Sequence, residues 1–264
     1  MLRLKRMNWR LSTAARRFSI MTAALQLSDE LRQSFGPLFG LPDAALRVIP
    51  TGIREMDAAL PDGGFPRGAV VEVASANGLG QATSLMLRVC ASAQQEARLR
   101  GGDPAWCAWI DPASTLFSPG VAAAGVVLER LLVARPTLES LPRVAARIVA
   151  SRVFSVVIID TAGVPGALVP TALQRWPNTV RRLALAAEGS DGCVVLLTER
   201  ERSRAARLPV ALRLELEHAK LDRLRVQVAK ERRGRTTGPR DIAYCSMRMQ
   251  SLPSESPPTL RSVG

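Results

Sequence analysis

At 264 residues and 47% hydrophobic content, the chain is long enough for one sizeable α/β domain with appendages, and two full domains are the less economical reading. Its formal net charge of +13 exceeds what solubility requires and points to nucleic acid, an acidic protein surface or anionic lipid as a partner. One histidine, His218, and four dispersed cysteines, Cys90, Cys107, Cys193 and Cys245, argue against a zinc site, a His-based triad or a disulfide framework, and no apolar run is long enough to cross a bilayer.

The first twenty residues are basic and free of acids but lack the apolar core of a secretion signal. They read as an amphipathic helix or, alternatively, as a start-site artefact with translation beginning at Met21. Met21 to Leu41 is compatible with a short helix ended by Gly36-Pro37. In the segment T-G-I-R-E-M-D-A-A-L-P-D-G-G-F-P-R-G, Thr51 is placed to cap a short helix with Met56, Ala59 and Leu60 on its apolar side. Asp62-Gly63-Gly64 and Pro66-Arg67-Gly68 then read as turns.

Val70 to Leu85, V-V-E-V-A-S-A-N-G-L-G-Q-A-T-S-L, has the strand, Gly-containing turn and helix start of a phosphate-binding loop. Such a loop needs G-x-x-x-x-G-K-[ST], because backbone N–H groups cradle the phosphates, a Lys reaches them and a hydroxyl holds magnesium. With Gly80 as the second Gly, the first-Gly position is Ser75, the Lys position Gln81 and the hydroxyl position Ala82. A helix from Ala82 to Ala97 follows, then an apolar strand from Trp106 to Ile110 ending at Asp111. A helix-like stretch leads on to the run G-V-V-L-E-R-L-L-V-A-R-P.

Another helix is expected over Leu138 to Ala150, and Val153 to Asp160, V-F-S-V-V-I-I-D, is the strongest strand in the chain. Thr171 to Ala187 reads as a helix interrupted at Pro177, and Gly192 to Thr198 as a further buried strand. This alternation predicts a largely parallel sheet covered on both faces. Val210 to Leu216 and Leu224 to Lys230 change to period two, predicting antiparallel strands joined near Ala219 to Arg223. The chain thus divides into a basic helical extension (1–45), an α/β core (46–240) and a flexible tail (241–264).

Asp160 stands at a Walker B position, where an aspartate leaving a buried strand organises magnesium beside a nucleotide. With Gln81 and Ala82 lacking the ammonium and the hydroxyl, Asp160 and Thr161 are better read as a strand-end turn or helix cap, and Asp111 as a cap as well. No cofactor and no metal site are therefore expected, with residual ATP binding left open. Basic residues cluster at Arg200, Arg202, Arg204 and Arg207 before the late hairpin, and at Lys230, Arg232, Arg233, Arg235 and Arg240 after it. Brought to one edge, they suit phosphate or partner contacts; interleaved with Glu199, Glu201 and Glu231, they equally suit a solvated face.

The block from Thr51 to Val73, the strand C-A-W-I-D-P-A-S-T-L-F, the strand V-V-I-I-D-T and the pair V-A-L-R-L-E-L and L-R-V-Q-V-A-K-E-R-R-G together resemble the RecA recombinase family, and within it a diverged ImuA-like branch. The resemblance runs from about Thr51 to Arg233. It implies an α/β fold, a RecA-like central and mostly parallel sheet flanked by helices, with a late antiparallel hairpin. It places the family's catalytic Glu on Ala113 and its Walker B Asp on Asp160. Departures at Ser75, Gln81, Ala82 and Ala113 imply a binding protein rather than an enzyme.

What the ImuA-like resemblance implies is an adaptor in SOS mutagenesis and translesion synthesis. Its expected partners are an ImuB-like protein, an error-prone polymerase assembly, RecA recombinase and DNA, with no membrane contact, in the cytoplasm and at the nucleoid during DNA damage. Two alternatives stand beside it: an atypical DNA-dependent ATPase and a SulA-like inhibitor of cell division.

Overall fold

A computed structural model describes residues 48–76, 81–164, 167–168, 172–220 and 223–244. The chain divides into two units, 1–46 and 47–264, and all described residues lie in the second. The expected amino-terminal extension, the helix over Met21 to Leu41, Gly78, Gly80, Thr171, Cys245 and the tail from 245 on fall outside them.

The order of elements begins with β1 (Val48–Ile49), α1 (Arg54–Ala59), β2 (Phe65–Pro66), β3 (Ala69–Ser75), α2 (Gln81–Leu99) and β4 (Cys107–Ile110). It continues through α3 (Ser118–Ala123), β5 (Leu131–Ala134), α4 (Leu141–Ala150), β6 (Val156–Asp160) and a small hairpin, β7 (Gly163–Val164) with β8 (Ala167–Leu168). It ends with α5 (Pro177–Ala187), β9 (Cys193–Glu199), α6 (Arg200–Ala206), β10 (Leu212–Lys220), β11 (Arg223–Glu231) and β12 (Arg240–Ala243). The main sheet has eight strands in the order β12-β11-β10-β3-β9-β6-β4-β5. From β10 to β5 every pairing is parallel, and β11 and β12 add antiparallel strands at one edge.

The continuous apolar runs become strands buried on both faces, because helices cover each side and successive side chains alternate between them. Val71, Val73, Trp109, Ile158, Val195 and Leu197 pack with Leu85, Met86 and Val89 of α2. Val70, Ile110, Val157, Ile159, Val194 and Leu196 pack with Leu141, Ala145 and Val149 of α4 and with Val180, Leu183 and Ala187 of α5. Each face buries its own cluster, so the sheet is the shared wall of two cores.

Several local expectations change. Thr51 does not cap α1: Ile53 holds the cap position with no side-chain hydrogen bond. The Thr51 hydroxyl instead accepts from Ile53 N–H at 3.2 Å, a Ser/Thr turn that precedes the helix, and Asp57 accepts from Thr51 N–H at 2.8 Å. Pro177 begins α5 rather than interrupting it, consistent with proline's fit to the first helical turn. The sheet also continues past residue 240, where the core was expected to end. Arg240 to Ala243 forms β12 and pairs antiparallel with β11, with Ile242 as its buried anchor. One buried residue in four gives too short an alternation to announce a strand.

The turns at Gly63 and Gly68 take positive φ, 78° and 66°, which suits glycine. Gly68 N–H then donates to Gly192 O at 2.7 Å, locking the entry of β3 beside that of β9.

Candidate functional site

The carboxyl ends of the parallel strands meet along one edge: Ser75 lies beside Glu199, and Asp160 beside Leu197. This is where an open α/β sheet presents its ligand-binding groups. Ser75 is buried at the end of β3, and its hydroxyl has no hydrogen-bond partner among the described residues. Gln81 is the first residue of α2. Ala82, the hydroxyl position of a phosphate loop, is 4% exposed and packs into the core with Leu85 and Met86. Gly80 lies outside the described residues.

Asp160 ends β6 and is nearly buried. Its Oδ1 accepts from Ala162 N–H at 3.1 Å and Gly163 N–H at 3.0 Å, so the carboxyl closes the turn after the strand. Thr161 donates its hydroxyl to Leu197 O at 2.7 Å. Burial pushes the Asp160 carboxyl up to about 6, against the two backbone donors, and the neighbouring Asp111 charge adds to the rise.

Asp111, fully buried just beyond β4, accepts from Thr115 N–H at 3.1 Å and Leu116 N–H at 2.9 Å. It holds the loop ahead of α3 and does not cap that helix, whose cap position is Phe117. Ala113 sits in this loop beside Ser114, which takes a positive φ of 57°. Both strand-end aspartates therefore spend acceptor capacity on backbone N–H groups. Among the described residues no cluster of three or more His, Cys, Asp or Glu side chains is arranged to hold a metal ion.

The arginine groups are placed differently from one another. Arg200 pairs with Glu217 of β10, Arg202 with Glu199 at 2.9 Å, and Arg204 with Glu215 of β10. These contacts draw α6 onto the hairpin and neutralise its charges locally. Lys230 donates to Leu208 O at 3.2 Å, so one member of the second group does return to the first. Arg235 turns away to Asp62, with contacts of 2.8 and 2.7 Å, and also meets Glu231. Arg207, Arg232, Arg233 and Arg240 are exposed and make no ion pair among the described residues.

A buried polar network beneath α6 was not anticipated. Glu72, in the middle of β3 and fully buried, accepts at Oε1 from Thr198 Oγ1 at 3.0 Å and from the Ser203 hydroxyl. Arg213 Nε lies 3.7 Å from Glu72 Oε2, and Arg213 Nη2 lies 3.5 Å from Glu215 Oε1. An alternating chain of charges, Glu72, Arg213, Glu215 and Arg204, thus runs from the sheet interior to the surface. Its one sequence signal was the lone acid in V-V-E-V-A-S.

A parallel α/β sheet with a phosphate-loop position between β3 and α2, and aspartates at neighbouring strand ends, defines the class of phosphate-loop-type domains. A family model for the RecA N-terminal domain matches residues 30–175, and the chain belongs to that family. It is 34% identical over 151 residues to the RecA protein of Saccharopolyspora erythraea, covering 57% of this chain and 37% of that one. It is 34% identical over 163 residues to RecA of Nitratidesulfovibrio vulgaris, covering 61% and 39%, and 35% identical over 163 residues to RecA of Clavibacter michiganensis, covering 61% and 42%. The chain therefore spans about two fifths of the length of these relatives.

Proposed function

We propose that this chain is a RecA-like binding protein that does not turn over ATP and serves DNA repair as an adaptor in mutagenic translesion synthesis. The observation that carries the reading is Ala82, whose methyl group is packed into the core at the position where a phosphate loop carries its magnesium-binding hydroxyl. Gln81 brings no ammonium to a phosphate, and Ala113 brings no carboxylate to a water. The Asp160 carboxyl is held by two backbone donors and disfavours its charged form. These residues do not fit a magnesium–nucleotide complex.

The adaptor would engage an ImuB-like protein, an error-prone polymerase and RecA recombinase at damaged DNA, in the cytoplasm and at the nucleoid. Among the described residues no helix is long and apolar enough to cross a membrane.

The test combines phosphate release from ATP and magnesium, with and without single-stranded DNA, and affinity capture from DNA-damaged cells. Release at the background level, together with capture of an ImuB-like protein or the polymerase, is expected. Turnover that is stimulated by single strands and abolished by Asp160→Asn overturns the reading in favour of an ATPase. Capture of the division tubulin homologue alone overturns it in favour of a division inhibitor.

A further inference from the structure

At α6 and the late hairpin, whose clustered basic residues suit DNA or partner contacts or a solvated face, four of the nine are engaged by carboxylates. The opposite situation holds on α4 and α5. Leu141, Ala145 and Val149 turn one side of α4 to the core, which at 100° per residue puts Arg143 and Arg147 on the outward side, one turn apart. Val180, Leu183 and Ala187 do the same for α5, leaving Arg181 and Arg182 outward; Arg175 is exposed just ahead of the helix.

The two helices pack against each other. Both run from the carboxyl edge of the parallel sheet back to its amino edge, so they lie parallel. Arg152 joins their carboxyl-terminal ends, donating from Nη2 to Glu188 O at 3.1 Å. The exposed arginines of α4 and α5 therefore lie on two neighbouring helices, whose axes at packed-helix spacing are about 8–10 Å apart.

Charge on this face is not balanced. Residues 139–152 and 172–188 carry six arginines against two carboxylates, Glu139 and Glu188. Arg143, Arg147, Arg175 and Arg182 make no ion pair among the described residues, and Arg181 meets only the Asn178 amide oxygen, at 2.9 Å. Arginine presents a planar, permanently charged fork suited to phosphate oxygens. Unpaired arginines at helical spacing keep their donors free for an external anion.

We propose that the outer face of α4 and α5 binds the phosphodiester backbone of nucleic acid, without reading base sequence. The surface is distinct from the strand ends and from the late hairpin, so the inference goes beyond the adaptor reading and holds whether or not ATP is turned over.

The test is fluorescence anisotropy of the full chain with a labelled single strand and a labelled duplex across a salt series. Arg143→Ala, Arg147→Ala and Arg182→Ala combined should weaken binding by about tenfold or more. The slope of log affinity against log salt should fall by about 2 to 3, since each lost phosphate contact removes about 0.7–0.9. The matching triple Lys variant, which keeps the charge, should retain most of the slope. These side chains hold no ion pair among the described residues, so the thermal melt of each variant should overlay that of the wild type.

Unchanged affinity and slope in the Ala variant overturn the proposal. So does failure of the wild type to bind either probe, or a loss confined to Arg207→Ala, Arg232→Ala and Arg233→Ala combined. Loss of binding to polyglutamate with nucleic-acid binding retained overturns it as well, and assigns the face to an acidic protein. Phosphate release, measured separately, leaves a failure here distinguishable from a failure of the adaptor reading.

Discussion

Asp160→Asn provides the sharpest test of what the strand-end aspartate does. The asparagine oxygen can accept from Ala162 and Gly163 N–H as Oδ1 does now, so the turn should survive. What disappears is the burial of a titrating carboxyl, whose pKa stands at about 6 in the folded chain against 3.8 for the free group. A carboxyl with a raised folded pKa binds its proton more tightly in the folded than in the unfolded state. The stability it contributes is full below pH about 4, falls as pH rises through about 6, and stays low above that. A shift of about 2 units corresponds to about 3 kcal/mol at 1.36 kcal/mol per unit, an upper figure because the amide also carries a burial cost. Urea unfolding at a series of pH values should therefore find the Asn variant more stable than the wild type above pH 7, by about 1–3 kcal/mol. The gap should close toward pH 4. A gap that is constant with pH, or an Asn variant less stable at pH 7.5 than at pH 4 relative to the wild type, would refute the burial argument.

Three further outcomes are expected. Glu72→Ala leaves the Thr198 and Ser203 hydroxyls without their acceptor and Arg213 without its buried partner, and should cost about 3–5 kcal/mol in urea unfolding. A double-mutant cycle with Arg213→Met should show coupling above about 0.5 kcal/mol, and additivity would mean that the two charges act independently. Gly192→Ala would place a Cβ 2.4 Å from Phe154 O; it should lower the denaturation midpoint strongly, by an overpacking cost of about 1–3 kcal/mol or more, and an unchanged midpoint would show that the entry of β9 can relax. Arg235→Ala removes the contacts to Asp62 and Glu231 at a largely solvent-facing position, so its melt should shift only slightly, with the shift shrinking in high salt.

The sheet was legible wherever a strand is buried on both faces. β4, β6 and most of β9 are continuous apolar runs and β3 is one interrupted by Glu72, and a run of that kind between helical segments has few alternatives to a buried strand. The β10–β11 hairpin was legible from its change to period two, with Leu212, Leu214, Leu216, Leu224, Val226 and Val228 buried. The join of that hairpin to the parallel sheet, β10 against β3, was not legible, because pairing between segments so distant in sequence leaves no local pattern. Glu72 shows the same limit for the site. Its partners Thr198 and Ser203 lie 126 and 131 residues away, so the sequence displays an acid in a strand without showing what compensates it. The arginines behave alike: they cluster along the chain at 200–240, yet folding pairs Arg235 with Asp62, 173 residues away. It leaves Arg143, Arg147 and Arg182, dispersed in the sequence, on one outward face.

The phosphate-loop region separates what the fold needs from what the chemistry needs. The strand-to-helix crossover is held by apolar burial on both sides of the turn: Val71 and Val73 on β3, and Ala82, Leu85 and Met86 on α2, share one cluster. An ammonium at 81 or a carboxylate at 113 would add nothing to that cluster, so their absence leaves the scaffold intact. Asp160 is the exception, because it belongs to both accounts: its carboxyl closes a turn, as an amide could, and it carries a burial cost that an amide would avoid. Stability alone therefore does not explain an aspartate at 160. If the Asn variant is more stable and still captures the same partners, the carboxyl serves neither folding nor assembly. If the variant is more stable but loses partner capture, the charge at this strand end belongs to the binding surface, and the carboxyl edge of the sheet carries the contact with the captured partner.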